Sequence, residues 1–311
     1  MRVARCVEIY VGRKQACGYS YVSIARLLRR FVRFIRNIHI SLVTDYHLNA
    51  FLSCGRASNN TWRHHASCLF GFFRYWFARR QIRQIPTPKQ KPAEARTFFP
   101  YIYSREEIRR LVNVAAVSQQ ASRCTFGPKT LKTILLFLYG TAMKIDDALA
   151  LSYSDVDFRN ASIQVHSTSV HQKRVIPLGG DVMRLVRRYL KSDERRRFGP
   201  GGSLFLTAKG RAVQHSDLGA AFRRLRKIAG IKRVRSLYQP RIQDLRHTFA
   251  VHSIEQWTRD GHALHKMLPM LATYMGNVDM QGLERYLELS SCSYQAQLDR
   301  LKRLAATNGT T

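Results

Sequence analysis

Acidic residues are scarce in this sequence: 20 Asp and Glu stand against 52 Lys and Arg in 311 residues, a formal charge of +32. A surface so dominated by one sign repels itself unless a polyanion is its ordinary partner. Nucleic acid is therefore the first expectation and an anionic membrane surface the second. Long apolar runs are missing as well. The longest, Ile134 to Met143, is about half of the roughly 20 residues that cross a bilayer. The opening MRVARCVEIY has no apolar stretch of the kind a secretory signal needs, so the membrane is set aside and a cytoplasmic location is expected. Cysteine occurs six times, at Cys6, Cys17, Cys54, Cys68, Cys124 and Cys292, without any CxxC pair. That scatter indicates neither a zinc site nor a disulfide framework, and the thiols are expected to be reduced and mostly buried.

What is present reads as two domains. Hydrophobic residues make up 45% of the chain, enough to bury a core without staples, and the length suits two folding units. In QIPTPKQKPAEARTFFP, Pro86, Pro88, Pro92 and Pro100 break any helix and favour an extended connector. The expected organisation is a helical domain over 1–85, a proline-rich linker over 86–100 and a second domain over 101–311. Residues 1–97 hold 18 basic against 3 acidic residues, and residues 98–311 hold 34 against 17, so both parts are expected to contact a nucleic acid.

In YVSIARLLRRFVRFIRN the apolar Ile24, Leu27, Leu28, Phe31 and Ile35 recur at helical spacing, and Arg26, Arg29, Arg30, Arg33 and Arg36 fall on the other side. With almost no Glu or Asp to balance them, these arginines are the candidate DNA-binding face. A second helix within TWRHHASCLFGFFRYWFARR is expected to bury Trp62, Ala66, Leu69, Phe73 and Phe77. Beyond the linker, Ser104 and Glu107 have capping-box spacing and open a helix through Leu111. TLKTILLFLYG is apolar on nearly every side, as a buried central helix requires. Ile163 and Val165 alternate before VIPLG, which predicts a small antiparallel sheet. Gly199, Pro200, Gly201 and Gly202 mark a surface loop. The fold class expected is mainly α with one small antiparallel β-sheet.

Three segments carry the functional signal: YGTAMKIDDALALSYSDVD, RIQDLRHTFAVHS and LATYMGNVDMQGLERYLELS. Their order, spacing and apolar framework resemble the catalytic domain of tyrosine recombinases of the phage integrase family, of the XerC/XerD type. The N-terminal part resembles that family's helical, SAM-like core-binding domain. LRHTFA combined with YMGN and a tyrosine nine positions on is specific, whereas each segment alone is weak. The resemblance implies site-specific recombination of double-stranded DNA by a tetramer, homo- or hetero-oligomeric, without small-molecule substrate, ATP, metal or other cofactor. A tyrosine hydroxyl attacks a backbone phosphate and forms a 3′-phosphotyrosine link while a 5′-hydroxyl leaves. Two guanidinium forks suit the charge that builds on the non-bridging oxygens. A lysine protonates the leaving oxygen, and two His or His/Trp positions assist.

Carried onto this chain, the resemblance gives Tyr286 the role of nucleophile and Arg246 that of the second arginine. Four positions depart from the pattern. Lys144 stands where the family has the first arginine, TAMK replacing TGLR or TGMR, and an ammonium lacks the planar fork. Ser169, in TSVHQKRVIPL, stands where the family has its lysine, and Lys173 is four positions on. Gln243 replaces the histidine of HxLRH, and Asn277 replaces the His or Trp after LG. Both amides donate hydrogen bonds, but neither carries a proton at neutral pH. His247 and His252 are expected as helix-packing residues and Tyr274 as core. A paired-carboxylate metal site at Asp146 and Asp147, or at Asp155 and Asp157, is disfavoured because no histidine supports it nearby.

Two functions stay open. One is an active or impaired strand-transfer enzyme. The other, which the four departures favour, is a catalytically inactive DNA-binding relative that occupies or co-assembles at recombination sites. A generic nucleic-acid packaging protein accounts for the charge but not for Arg246 and Tyr286 within so complete a framework.

Overall fold

The computed structural model describes residues 1–19, 21–54, 59–88, 100–120, 124–166, 173–232, 239–276, 286–287 and 289–290. The chain divides into two compact units, the main run of the first ending at Thr97 and the second starting at Phe98.

The first unit is helical: α1 (Val3–Ala16), α2 (Val22–Phe34), α3 (Asp45–Ser53) and α4 (Asn59–Phe77). Its core forms where the apolar stripes of these helices meet, with Cys6, Val7, Leu28, Phe31, Leu48, Leu69, Phe72 and Phe73 at its centre. On α2 the expected stripe is buried at Leu27, Leu28 and Phe31, and the arginines of the opposite face are exposed. On α4 the inward stripe differs from expectation. Phe72 and Trp76 are buried beside Ala66, Leu69 and Phe73, while Phe77, at the last position of the helix, is exposed. Trp76 rather than Phe77 continues the spacing of four from Phe72, so the stripe closes one residue earlier.

The second unit contains α5 (Arg105–Asn113), α6 (Ala115–Ser118), α7 (Pro128–Thr141), α8 (Ile145–Leu149), α9 (Gly180–Leu190), α10 (Asp193–Arg196), α11 (His215–Ile228), α12 (Asp244–Arg259) and α13 (Leu264–Met275). Its three-stranded antiparallel sheet has the order β1 (Val156–Asp157), β2 (Ser162–His166), β3 (Lys173–Pro177). The mainly helical fold with one small sheet is the one expected. The capping box forms: the Glu107 backbone N–H donates to Ser104 Oγ at 3.1 Å and the Ser104 N–H to Glu107 Oε2 at 2.9 Å. Pro128 starts α7, which buries Leu131, Ile134, Leu135, Phe137 and Leu138 in the core and leaves Lys132 exposed. In the sheet, Ile163, Val165 and Ile176 face the core, and Val165 pairs with Arg174.

The loop at 199–202 is exposed, yet its backbone is gathered from below. Arg195, fully buried, donates to the carbonyls of Gly199, Gly201, Ser203 and Leu204. Among the described cysteines only Cys6 is buried; Cys17 and Cys54 are exposed and Cys68 and Cys124 intermediate. This corrects the expectation of mostly buried thiols, because four of the five lie at helix ends, outer faces or loops. Among the described residues no helix is long and apolar enough to cross a membrane.

Candidate active site

Arg246 is the third residue of α12, and its side chain is 5% exposed. A buried guanidinium keeps its charge and needs acceptors for its donors. Two helix ends supply them. Nη1 donates to the carbonyl of Ala142, just past α7, and at 2.9 Å to that of Met275, the last residue of α13. Ala142 and Gly276 both take left-handed backbone conformations that end their helices, with φ of 51° and 68°. The turned-out terminal carbonyls carry the partial negative charge of a helix C-terminus, which suits a cation. Burial holds the Arg246 pKa below its ordinary value, partly opposed by the hydroxyl of Tyr286, to which the guanidinium hydrogen-bonds.

Tyr286 is 5% exposed, and its ring packs in an apolar cluster with Ala250, Val251, Leu271 and Met275. Its Oη meets Arg246 and lies 2.9 Å from His247 Nδ1. The two residues given the roles of nucleophile and second arginine are therefore in direct contact. His247, expected as a packing residue, is the next residue of α12, and the turn of about 100° between neighbours lets both side chains reach one hydroxyl. The sequence signal for it was its place beside Arg246 in LRHTFA.

The substituted positions are arranged differently. Lys144 precedes α8 and is exposed. Gln243 precedes α12 and accepts, through Oε1, from the Ile145 backbone N–H at 3.2 Å. This bond ties the two helix starts together and brings Lys144 and Gln243 to neighbouring turns. Ser169 and Asn277 lie outside the described residues. His252, on the far side of α12, has Nδ1 2.8 Å from Tyr139 Oη, and burial lowers its pKa. Tyr274 donates to the Gly140 carbonyl at 3.3 Å and is pushed up to about 12 by burial, so it is a core residue.

Two further charged residues enter this neighbourhood. Asp147, buried on α8, has Oδ2 3.9 Å from Arg174 Nη2. Arg174, on β3, donates through Nη1 to the Met275 carbonyl at 3.1 Å, the same oxygen that Arg246 uses. Burial depresses the Arg174 pKa and the Asp147 carboxylate opposes that shift. A Cβ on Gly276 would overlap the Arg174 guanidinium. That glycine therefore serves both the left-handed turn and the close approach of the arginine.

On α2, Arg26, Arg29, Arg30, Arg33 and Arg36 are all exposed, but their surroundings differ. Arg29 makes a two-pronged pair with Glu8, both N···O distances 3.0 Å. Arg30 lies over the Phe51 ring, 5.2 Å from its centroid. Arg36 sits beyond the helix end in a left-handed turn, φ 54°.

Residues 103–268 match the phage integrase family. Over 303 residues the chain is 26% identical to a Sinorhizobium fredii protein named integrase/recombinase y4rB, covering 96% of each. It is 20% identical over 278 residues to tyrosine recombinase XerC of Staphylococcus epidermidis, covering 88% of this chain and 87% of that one. Among solved structures, the Tn1549 transposon integrase in complex with transposon right end DNA aligns with TM-score 0.69 at 19% identity, over 97% of this chain and all of that one. A lambda integrase dimer bound to a COC′ core site aligns with TM-score 0.63 at 14% identity, over 92% and 95%. Covering more than half of the chain, the family match joins the helical fold with its small sheet, and the chain belongs to the phage integrase family, the tyrosine recombinases.

Proposed function

We propose that this chain is a DNA-binding tyrosine recombinase that cleaves and rejoins strands at specific sites through a 3′-phosphotyrosine link at Tyr286, at a slow intrinsic rate. The observation that carries this reading is the Tyr286 hydroxyl held on the Arg246 guanidinium with His247 Nδ1 at 2.9 Å. In the reaction the Oη–P bond forms as the P–O5′ bond breaks. The phenol proton passes to His247, the leaving 5′-oxygen takes up a proton from solvent water, and a 5′-hydroxyl of another strand later reverses the step. The phosphodiester's energy stays in the protein link, so no ATP is consumed.

Residues 1–85 act as the core-binding domain and 101–311 as the catalytic domain, with 86–100 as connector. DNA is the partner that the net charge of +32 supports, along with the DNA-bound relatives of the same fold. A lambda integrase tetramer bound to a Holliday junction, TM-score 0.65, supports work by several copies. The slow rate follows from Ser169 and Gln243: neither supplies a cationic acid to the leaving oxygen, and one missing transition-state donor costs about 10² to 10³ in rate. The inactive DNA-binding relative is the second reading, favoured by the exposed ammonium at Lys144 in place of a fork.

The test is a pool of nicked duplexes of random sequence, incubated with the full chain and then denatured. Recovery of DNA linked covalently to the wild type but not to Tyr286→Phe is expected. A pool that binds the native protein yet yields no adduct after long incubation would establish the inactive reading instead.

A further inference from the structure

Arg174 is an arginine on the wrong face of a strand for solvent. Side chains alternate along β3, and Arg174 shares the inward face with Ile176 while Val175 points out, 65% exposed. It comes down on the oxygen that holds Arg246: the Met275 carbonyl accepts from Arg174 Nη1 at 3.1 Å and from Arg246 Nη1 at 2.9 Å. The two terminal nitrogens are thus no farther apart than those two hydrogen bonds laid end to end, which one phosphate can span. Two more nitrogens of Arg174, Nε and Nη2, are buried with no hydrogen-bond partner among the described residues. Asp147 lies beyond hydrogen-bond distance of Nη2. A buried donor left idle is costly, and Arg174 has only the Met275 carbonyl, shared with Arg246, and the more distant Asp147 carboxylate facing it.

We infer that Arg174 supplies the second guanidinium of the phosphate clamp, taking one non-bridging oxygen of the scissile phosphate while Arg246 takes the other. This rests on the recombinase reading for the identity of the anion. It explains how the site can function with a lysine at 144. Lys144, just before α8, is exposed, whereas Asp147, three residues on in the first turn, faces Arg174 from the buried side. The fork absent at 144 is provided from the strand instead. It also gives Gly276 a purpose, since a side chain there would expel the Arg174 guanidinium.

The test separates this clamp from the recombinase reading. In the full chain with isotope-labelled arginine, the Nε–H resonances of Arg174 and Arg246 are identified through Arg174→Lys and Arg246→Lys and followed as inorganic phosphate is added. Both are expected to move with one midpoint. In Arg174→Ala and Arg174→Lys the midpoint read at Arg246 should rise about tenfold or more, the scale of one charge-assisted pair. Lys173→Ala removes the same charge from the neighbouring, outward position and should change that midpoint less than about twofold, as exposed charges do. Arg174→Lys keeps length and charge, so it serves if the alanine variant does not fold. An unchanged midpoint in either folded variant, or no movement of the two resonances, overturns the clamp. Phosphate coupling without any covalent DNA adduct would remove the recombinase reading and leave the clamp. Adduct formation at full rate in Arg174→Lys would do the reverse.

Discussion

The arginines of α2 and those beside α12 differ in what surrounds them. On α2 they stand in water, and their neighbours are a carboxylate at Arg29 and an aromatic face at Arg30. Beside α12 Arg246 is buried and Arg174 half-buried against backbone carbonyls, with a tyrosine hydroxyl and a carboxylate in reach. Exposed guanidinium groups on a helix can follow a polyanion of any sequence and are screened by salt. Buried ones are fixed before a ligand arrives and act on a single phosphate. On the proposed function, the same residue type serves grip in one region and chemistry in the other.

Removing the buried group should have the largest effect. Arg246→Ala is expected to lower the rate of adduct formation by about 10³ or more and also to destabilise the unit, because two buried carbonyls and Tyr286 lose their donor. A rate within tenfold of the wild type, measured on the same trapped DNA, would erase the distinction between the two regions.

Next in size is the gain from rebuilding the site. Lys144→Arg, Ser169→Lys, Gln243→His and Asn277→His together should raise adduct formation by about 10² or more, with little from any one alone, since groups serving one transition state act as a unit. The control is the same variant with Tyr286→Phe, which should form no adduct. If Lys144→Arg alone recovers most of the gain, then Arg174 does not stand in for the missing fork.

On α2 the effects should be smaller and salt-dependent. Arg26→Ala and Arg33→Ala should each reduce the slope of log affinity against log salt by about 0.9, one phosphate contact apiece. Arg29→Ala should change it less, because the pair with Glu8 already neutralises that guanidinium. An anisotropy titration on duplex DNA measures all three, and equal slopes for Arg29→Ala and Arg26→Ala would contradict the assignment.

The smallest effect concerns His252, a half-buried base on the same helix as Arg246. Burial lowers its pKa in the folded state, so the unfolded chain takes up the proton first. Stability is full above the ordinary imidazole value near 6.5 and falls as pH drops through it towards the lower folded value. One proton limits the slope to about 1.4 kcal/mol per pH unit. Melting curves of wild type and His252→Gln between pH 8 and about 5 should diverge only at the acid end.

Much of this was legible in the residues. Periodicity gave α2 and its arginine face, Ser104 and Glu107 gave the start of α5, and alternation at Ile163 and Val165 gave the sheet. LRHTFA and the downstream tyrosine gave the Arg246–Tyr286 pair only through the family resemblance, since the two lie on separate segments. What was not legible depended on contacts between distant segments. Arg174 sits in the basic run HQKRV, where nothing in the sequence singled it out, and only the pairing of β3 with Val165 places it inward. His247 reads as packing until Tyr286 arrives from 39 residues away. Phe77 was assigned to the core by a stripe that ends one residue sooner, at Trp76.

The bonds from Arg246 to Ala142 and Met275 bear on how such a site drifts over generations. Both acceptors are peptide oxygens, which no codon change can remove. A substitution at either residue alters a side chain and leaves the acceptor where the helix end puts it. Apart from the left-handed turn at Gly276 that ends α13, the anchoring of this arginine therefore depends little on the side chains of its neighbours, while a group that depends on side-chain identity has no such protection. A site assembled in this way can lose its lysine and its histidines one at a time and still keep its arginine in place, which is the starting point the fourfold variant relies on.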